Sequence, residues 1–219
     1  VDRIEDLQKA YQNALLAYER QEAAQLVAEA VDGGVALRDI YLRVFSPTQY
    51  AIGDLWQRGD LSVAQEHFCT NATQTIIAGL YPMMFGDSQG GPRLAALGLE
   101  DDLHELGLRM LTDLFEMDGW DTTYLGPRTP SQELTRQLHG LAPDVVAIGV
   151  TMPRTLARAG ALLTAVRQAV PEARLFLGGY ACQHVPEAWR DLGADAGGND
   201  AVEAIAAANA MMRASGQEC

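Results

Sequence analysis

Apolar residues return at helical spacing through the first part of the chain: Leu7, Ala10, Tyr11, Ala14 and Leu15 form one stripe, and Leu26, Val27, Ala30 and Val31 another. Asp32-Gly33-Gly34 stops the second helix, and Leu37, Ile40, Tyr41, Val44, Phe45 and Ile52 mark a third, longer one that runs to about Trp56. Gly59 breaks the pattern. Ser62, followed three residues later by Gln65, is a capping box, in which the hydroxyl accepts a first-turn amide and the glutamine reaches back. The fourth helix that it opens is expected to run to about Met84. Residues 1–84 therefore read as a four-helix bundle.

Residues 85–92, rich in glycine and small polar residues, read as a linker. The pattern then changes. Short apolar runs at Leu94–Leu99, Thr122–Leu125, Val145–Val150 and Leu175–Leu177 alternate with helical stretches near 105–118, 130–140, 155–168, 183–191 and 200–213. Strands alternating with helices of that length imply right-handed crossovers and a mostly parallel sheet. The expected fold is α + α/β, with residues 93–219 forming a Rossmann-like (flavodoxin-like), doubly wound domain.

Composition narrows the function. The 219 residues are enough for two compact units, and 48% apolar against 21% charged residues excludes a disordered chain. A net charge of −13 repels phosphate backbones and anionic lipid surfaces, which argues against direct nucleic-acid or membrane binding. No apolar stretch is long enough to span a bilayer, and no secretory signal opens the chain. Cys69, Cys182 and Cys219 are odd in number and widely spaced, which fits a reducing, cytoplasmic setting better than a disulfide framework. A start at Val1 suggests a segment cut from a longer protein, from which any output module would be missing.

Ligands of open parallel sheets gather at the carboxyl ends of the strands. After the first strand the chain reads Glu100-Asp101-Asp102-Leu103-His104-Glu105-Leu106-Gly107, with neither a dinucleotide nor a triphosphate glycine signature. His104 offers an imidazole nitrogen to a metal, and Asp102 can accept the other ring N–H and fix the tautomer. Gly107 would let a flat, bulky group approach the next helix. The third strand ends in Thr151-Met152-Pro153, which offers a hydroxyl, and the fourth in Gly178-Gly179, which offers bare backbone.

These three elements resemble the cobalamin-binding family typified by the corrinoid module of methionine synthase, with its D-x-H-x-x-G, S-x-L and G-G fingerprint. The resemblance implies that His104 is the lower axial ligand of cobalt, and that the displaced nucleotide tail enters a slot beside Thr151, Gly178 and Gly179. Thr151 stands where the family has serine and keeps the hydroxyl. Pro153 stands where it has leucine and keeps an apolar wall of different shape.

In the helical half, Val63, Glu66 and His67 share one face of the fourth helix, and Trp56 ends the third. Taken alone they read as bundle core and a solvated pair. The string of Trp56, Val63, Glu66 and His67 is similar to the upper-face cap of CarH-type cobalamin photoreceptors. That resemblance implies adenosylcobalamin as cofactor, with methylcobalamin or hydroxocobalamin as other forms. It further implies a non-enzymatic light sensor that passes its signal to a homo-oligomer, a fused domain or a partner. The family's upper histidine directly follows the tryptophan, and here that position is Gln57. The alternative is a corrinoid methyl carrier of a methyltransferase system. His139 is expected on a surface helix, His184 near the glycine pair, Cys69 as a small core residue and Met83-Met84 as packing.

Overall fold

A computed structural model describes residues 3–84, 90–198 and 200–215. The chain divides into two compact units, Val1–Phe85 and Gly86–Cys219. Residues 85–89 of the expected linker, and Cys219, lie outside the described residues.

The first unit is helical: α1 (Arg3–Leu16), α2 (Arg20–Asp32), α3 (Leu37–Ile40), a π-helical turn (Tyr41–Phe45), α4 (Ser46–Gln57) and α5 (Val63–Leu80). The third helix expected from the sequence is thus an unbroken run of α3, the π turn and α4. Pro47, in the first turn of α4, has no N–H to give and its ring crowds the preceding turn. The wider π turn, in which the Ser46 N–H reaches back to the Tyr41 carbonyl, relieves that conflict. Tyr11, Tyr41 and Phe45 are fully buried and their rings meet at centroid distances of 5.4 Å, which centres the core of this unit. At α5 both halves of the capping box form: the Gln65 N–H donates to Ser62 Oγ at 3.2 Å, and the Ser62 N–H donates to Gln65 Oε1 at 3.2 Å. The helix ends at Leu80 rather than near Met84, because Pro82 cannot continue the α ladder and the chain tightens into a 3₁₀ turn over Tyr81–Met83.

The second unit is a five-stranded, wholly parallel sheet with order β2-β1-β3-β4-β5. Its strands are β1 (Arg93–Gly98), β2 (Asp121–Gly126), β3 (Val145–Gly149), β4 (Arg174–Gly178) and β5 (Ala196–Gly198). Connecting them are α6 (Leu106–Met117), α7 (Ser131–Leu141), α8 (Leu156–Ala169), α9 (Ala181–His184) and α10 (Ala188–Asp191), and α11 (Ala201–Ser215) closes the unit. Helices α7 and α8 pack together, as do α6 and α11. Leu97, Val146, Ile148, Leu175 and Leu177 of the sheet are buried in one cluster with Leu134 and Leu138 of α7 and Leu163 and Val166 of α8. The strand order reverses direction at β1, so the loops after β1 and β3 diverge from adjacent strands at the carboxyl edge, where open sheets bind ligands.

Two expectations change in this second unit. The single helix near 183–191 is two short ones, because Pro186 forces Val185 out of the helical region, to φ −135° and ψ 76°. The three-residue β5 was not expected from the pattern.

Candidate functional site

The loop leaving β1 turns at once, with the Asp102 N–H donating to the Leu99 carbonyl. That turn drives the Asp102 side chain inward, to 4% exposure. Its Oδ1 accepts the His104 N–H at 3.0 Å and lies 2.7 Å from His104 Nδ1, while Oδ2 accepts the Thr151 N–H at 3.2 Å. One carboxylate therefore ties the loop after β1 to the loop after β3. Burial alone would push this carboxyl up; the hydrogen bonds from the imidazole and from the two backbone amides outweigh it and hold the group below the usual carboxylate range. The negative charge is thereby kept in place, and it holds the proton of the neutral imidazole on Nδ1. The lone pair is then on Nε2, the nitrogen a metal would take. The His104 side chain is 47% exposed.

Around this pair the backbone is bare. Gly98, Gly149, Gly178 and Gly198 align in register across four neighbouring strands, so a single rung at the carboxyl edge carries no side chains. A Cβ on Gly178 would stand 2.9 Å from the Gly198 carbonyl oxygen. Gly179 adopts φ +110°, and a Cβ there would come within 2.5 Å of the Val150 carbonyl oxygen, so no other residue fits. Gly107, in the first turn of α6, has no atom within 4 Å of the place a Cβ would take, which leaves open space over the helix start. Thr151 is half-buried beside Asp102.

Sequence reasoning singled out Gly178 and Gly179 and passed over the rest of the glycine rung. The signal was present: β1, β2, β3 and β4 each end on glycine, in Leu97-Gly98, Leu125-Gly126, Ile148-Gly149 and Leu177-Gly178. The bond from Thr151 to Asp102 was also missed.

In the helical unit, Trp56 lies half-buried in the last turn of α4 and Val63, the first residue of α5, is 53% exposed. Glu66 is half-buried and His67 exposed, with His67 Nδ1 2.5 Å from Glu66 Oε2. Gln57 is exposed. Cys69, one turn beyond Glu66, is buried, and burial, then the nearby Glu66 charge, push its thiol up to about 11. His139 is exposed on α7; His184 is exposed and meets the Tyr180 ring edge-on at 4.9 Å. Among the described residues no group of three or more His, Cys, Asp or Glu is placed to hold a free metal ion, and no helix is long and apolar enough to cross a membrane.

Comparison with known proteins gives two family matches, both described as B12 binding domains, over residues 7–81 and 92–206. The chain is 28% identical over 172 residues to the HTH-type transcriptional repressor CarH of Myxococcus xanthus, a match covering 78% of this chain and 56% of that protein. It is 27% identical over 118 residues to monomethylamine corrinoid protein 1 of Methanosarcina acetivorans, covering 52% of this chain and 54% of the relative. The chain thus spans little more than half the length of these curated relatives. The solved monomethylamine corrinoid protein of Methanosarcina barkeri shares the fold, with a TM-score of 0.77 at 19% identity over 93% of this chain and 97% of that one.

A corrinoid brings four ring nitrogens to its metal, so it asks the protein for one further donor and for backbone close enough to admit a flat ring and a long tail. The oriented imidazole of His104 and the open space at Gly107 fit that demand. The chain belongs to the B12-binding domain family, its helical unit matching one of that family's models and its α/β unit the other.

Proposed function

We propose that this chain is a light-sensing module that holds adenosylcobalamin, with His104 as the lower axial ligand, and that it is a sensor rather than an enzyme. When bound, adenosylcobalamin supplies a cobalt–carbon bond that light cleaves. The residues of the chain do the rest. Asp102 holds the Nδ1 proton of His104 and raises the basicity of Nε2. Gly107, Thr151, Gly178 and Gly179 admit the tail where side chains would block it. Trp56 and Val63 offer an apolar surface to the upper ligand, and Glu66 and His67 offer it hydrogen bonds. The observation that carries the sensing half of the reading is the Glu66–His67 pair at 2.5 Å on the α5 face that begins at Val63, a polar device suited to an adenosyl group and superfluous for a bare methyl.

The match to a CarH repressor over 172 residues supports this reading. Output then passes to a fused domain, a partner or a second copy of the chain. Gln57 provides no imidazole after Trp56, so a histidine arriving on the upper face after photolysis would have to come from elsewhere, with His67 the nearest along the chain. The second reading, a corrinoid methyl carrier, draws support from the monomethylamine corrinoid relatives.

Absorption spectra of protein reconstituted with adenosylcobalamin, taken before and after illumination, test the proposal. A stable light-induced change is expected. Uptake without a light response, together with methyl transfer from methylcobalamin to an acceptor, would favour the carrier. In His104→Ala the bound spectrum should lose the signature of a histidine nitrogen on the lower face, and an unchanged spectrum would refute ligation by that residue.

A further inference from the structure

Behind Glu66 a chain of side-chain hydrogen bonds crosses three helices. Thr70, one turn further along α5, donates its hydroxyl to Glu66 Oε1 at 2.8 Å and lies 3.2 Å from Gln49 Oε1 on α4. Gln49 Nε2 is 2.8 Å from Thr73 Oγ1, and that oxygen is 2.8 Å from the hydroxyl of Tyr11 on α1. Tyr11 and Thr73 are fully buried. The chain therefore leads from the Glu66–His67 pair at the surface into the interior of the helical unit.

Proton counting gives it a direction. An ionised carboxylate only accepts, a threonine hydroxyl has one proton, and a primary amide has one donating and one accepting end. The proton of Thr70 goes to Glu66, the shorter and charge-assisted contact. Thr70 Oγ1 and Gln49 Oε1 would then face each other as two acceptors. Turning the amide by half a rotation removes the conflict: Nε2 donates to Thr70, Oε1 accepts from Thr73, and Thr73 accepts from Tyr11. Tyr11 has its proton to give, because burial pushes its phenol far up and the Thr73 bond recovers only part of that rise. In this order each of the four contacts pairs one donor with one acceptor. Where Glu66 is withdrawn, the proton of Thr70 returns to Gln49 Oε1 and the amide takes the opposite setting, with Nε2 on Thr73.

We propose that Gln49 is a two-position amide set by Glu66. Through it Gln49, Thr70, Thr73 and Tyr11 act as positioning residues that hold the carboxylate from behind and carry a change at Glu66 into the packing of α1, α4 and α5. The inference rests on the proposed function only for what Glu66 meets; the amide setting belongs to the cobalamin-free chain and is tested there.

The test is nuclear magnetic resonance on the full chain without cobalamin, following contacts of the Gln49 Nε2 protons and the Cζ shift of Tyr11. With Glu66 intact, the amide protons should contact Thr70. In Glu66→Ala they should move to Thr73, and Tyr11 Cζ should shift with them. In Thr70→Val the response of Tyr11 to Glu66→Ala should be lost, and Thr70→Ser should restore it. Amide protons on the same threonine with and without Glu66, or a Tyr11 response that survives Thr70→Val, overturns the proposal. Neutron diffraction from the unsubstituted protein with Glu66 ionised reads the setting with no mutation at all: Nε2 on Thr70 supports it and Nε2 on Thr73 sinks it. Failure to take up cobalamin would end the preceding proposal while leaving these contacts to be judged alone.

Discussion

Asp102 is the residue on which the α/β site turns, since one buried carboxylate serves a side chain and two backbone amides. Asp102→Ala leaves those donors without their acceptor and is expected to cost about 3 kcal/mol, the range for losing charged, buried hydrogen bonds. Denaturant unfolding of the cobalamin-free protein checks it. The pH dependence follows from the same bonds. The carboxyl is held below its unfolded value, so the stability it contributes is fully present above about pH 4 and is lost as pH falls through the folded value. Asp102→Asn should therefore flatten the acid limb of the stability curve, and an acid limb identical to that of the unsubstituted protein would remove Asp102 from this role. Gly179→Ala combines a left-handed backbone with a Cβ 2.5 Å from the Val150 carbonyl oxygen, and should cost roughly 3 kcal/mol or more, again read by denaturant. Much of this site was legible because Asp102, His104 and Gly107 are close in sequence and their roles depend on local turn geometry. The amide of Thr151 is 49 positions from Asp102, and nothing in its residue type announces a backbone donor. Only the parallel pairing of β1 with β3 brings the two together.

At the level of elements, what could be read was what has a periodic or capping signature. The Ser62–Gln65 box fixes the start of α5, and with it the phase that puts Val63, Glu66 and His67 on one face. Ser62→Ala should cost about 1 kcal/mol and fray that first turn. Hydrogen exchange should quicken at the amides of Gln65 and Glu66 while the amides of Ile76 and Ile77 keep their protection; protection unchanged at Gln65 would mean that the box does not hold the turn. The features that escaped the pattern have no periodicity to read. β5 is Ala-Gly-Gly, three residues with almost no side chain, made a strand only by pairing with β4. The π turn keeps the apolar stripe of the third helix nearly intact, so Tyr41, Val44 and Phe45 look like any buried helical face, and Pro47, inside that stripe, is the one residue whose chemistry marks the irregularity.

For the molecule as a whole, cofactor binding is a stability statement. A ligand that binds the folded chain and not the unfolded one adds about 2.7 kcal/mol at a free concentration 100 times its Kd. For a cooperative body of 219 residues that amounts to a rise in melting temperature of roughly 5–11 °C, and for a smaller unit to more. Two compact units need not unfold together, so the shift should be followed for each by amide resonances. With adenosylcobalamin in the dark, the transition of the α/β unit should rise, because Asp102, His104 and the glycine rung lie there. The transition of the helical unit should rise as well if Trp56, Glu66 and His67 meet the upper ligand. On the proposed reading, illumination should then lower the helical transition while leaving most of the gain in the α/β unit, since loss of the adenosyl group would remove what the upper-face residues hold and keep what His104 holds. A methyl carrier predicts a different result, no fall of a helical transition on illumination. A helical transition indifferent to cofactor and light would reject the sensing role while leaving the axial histidine standing.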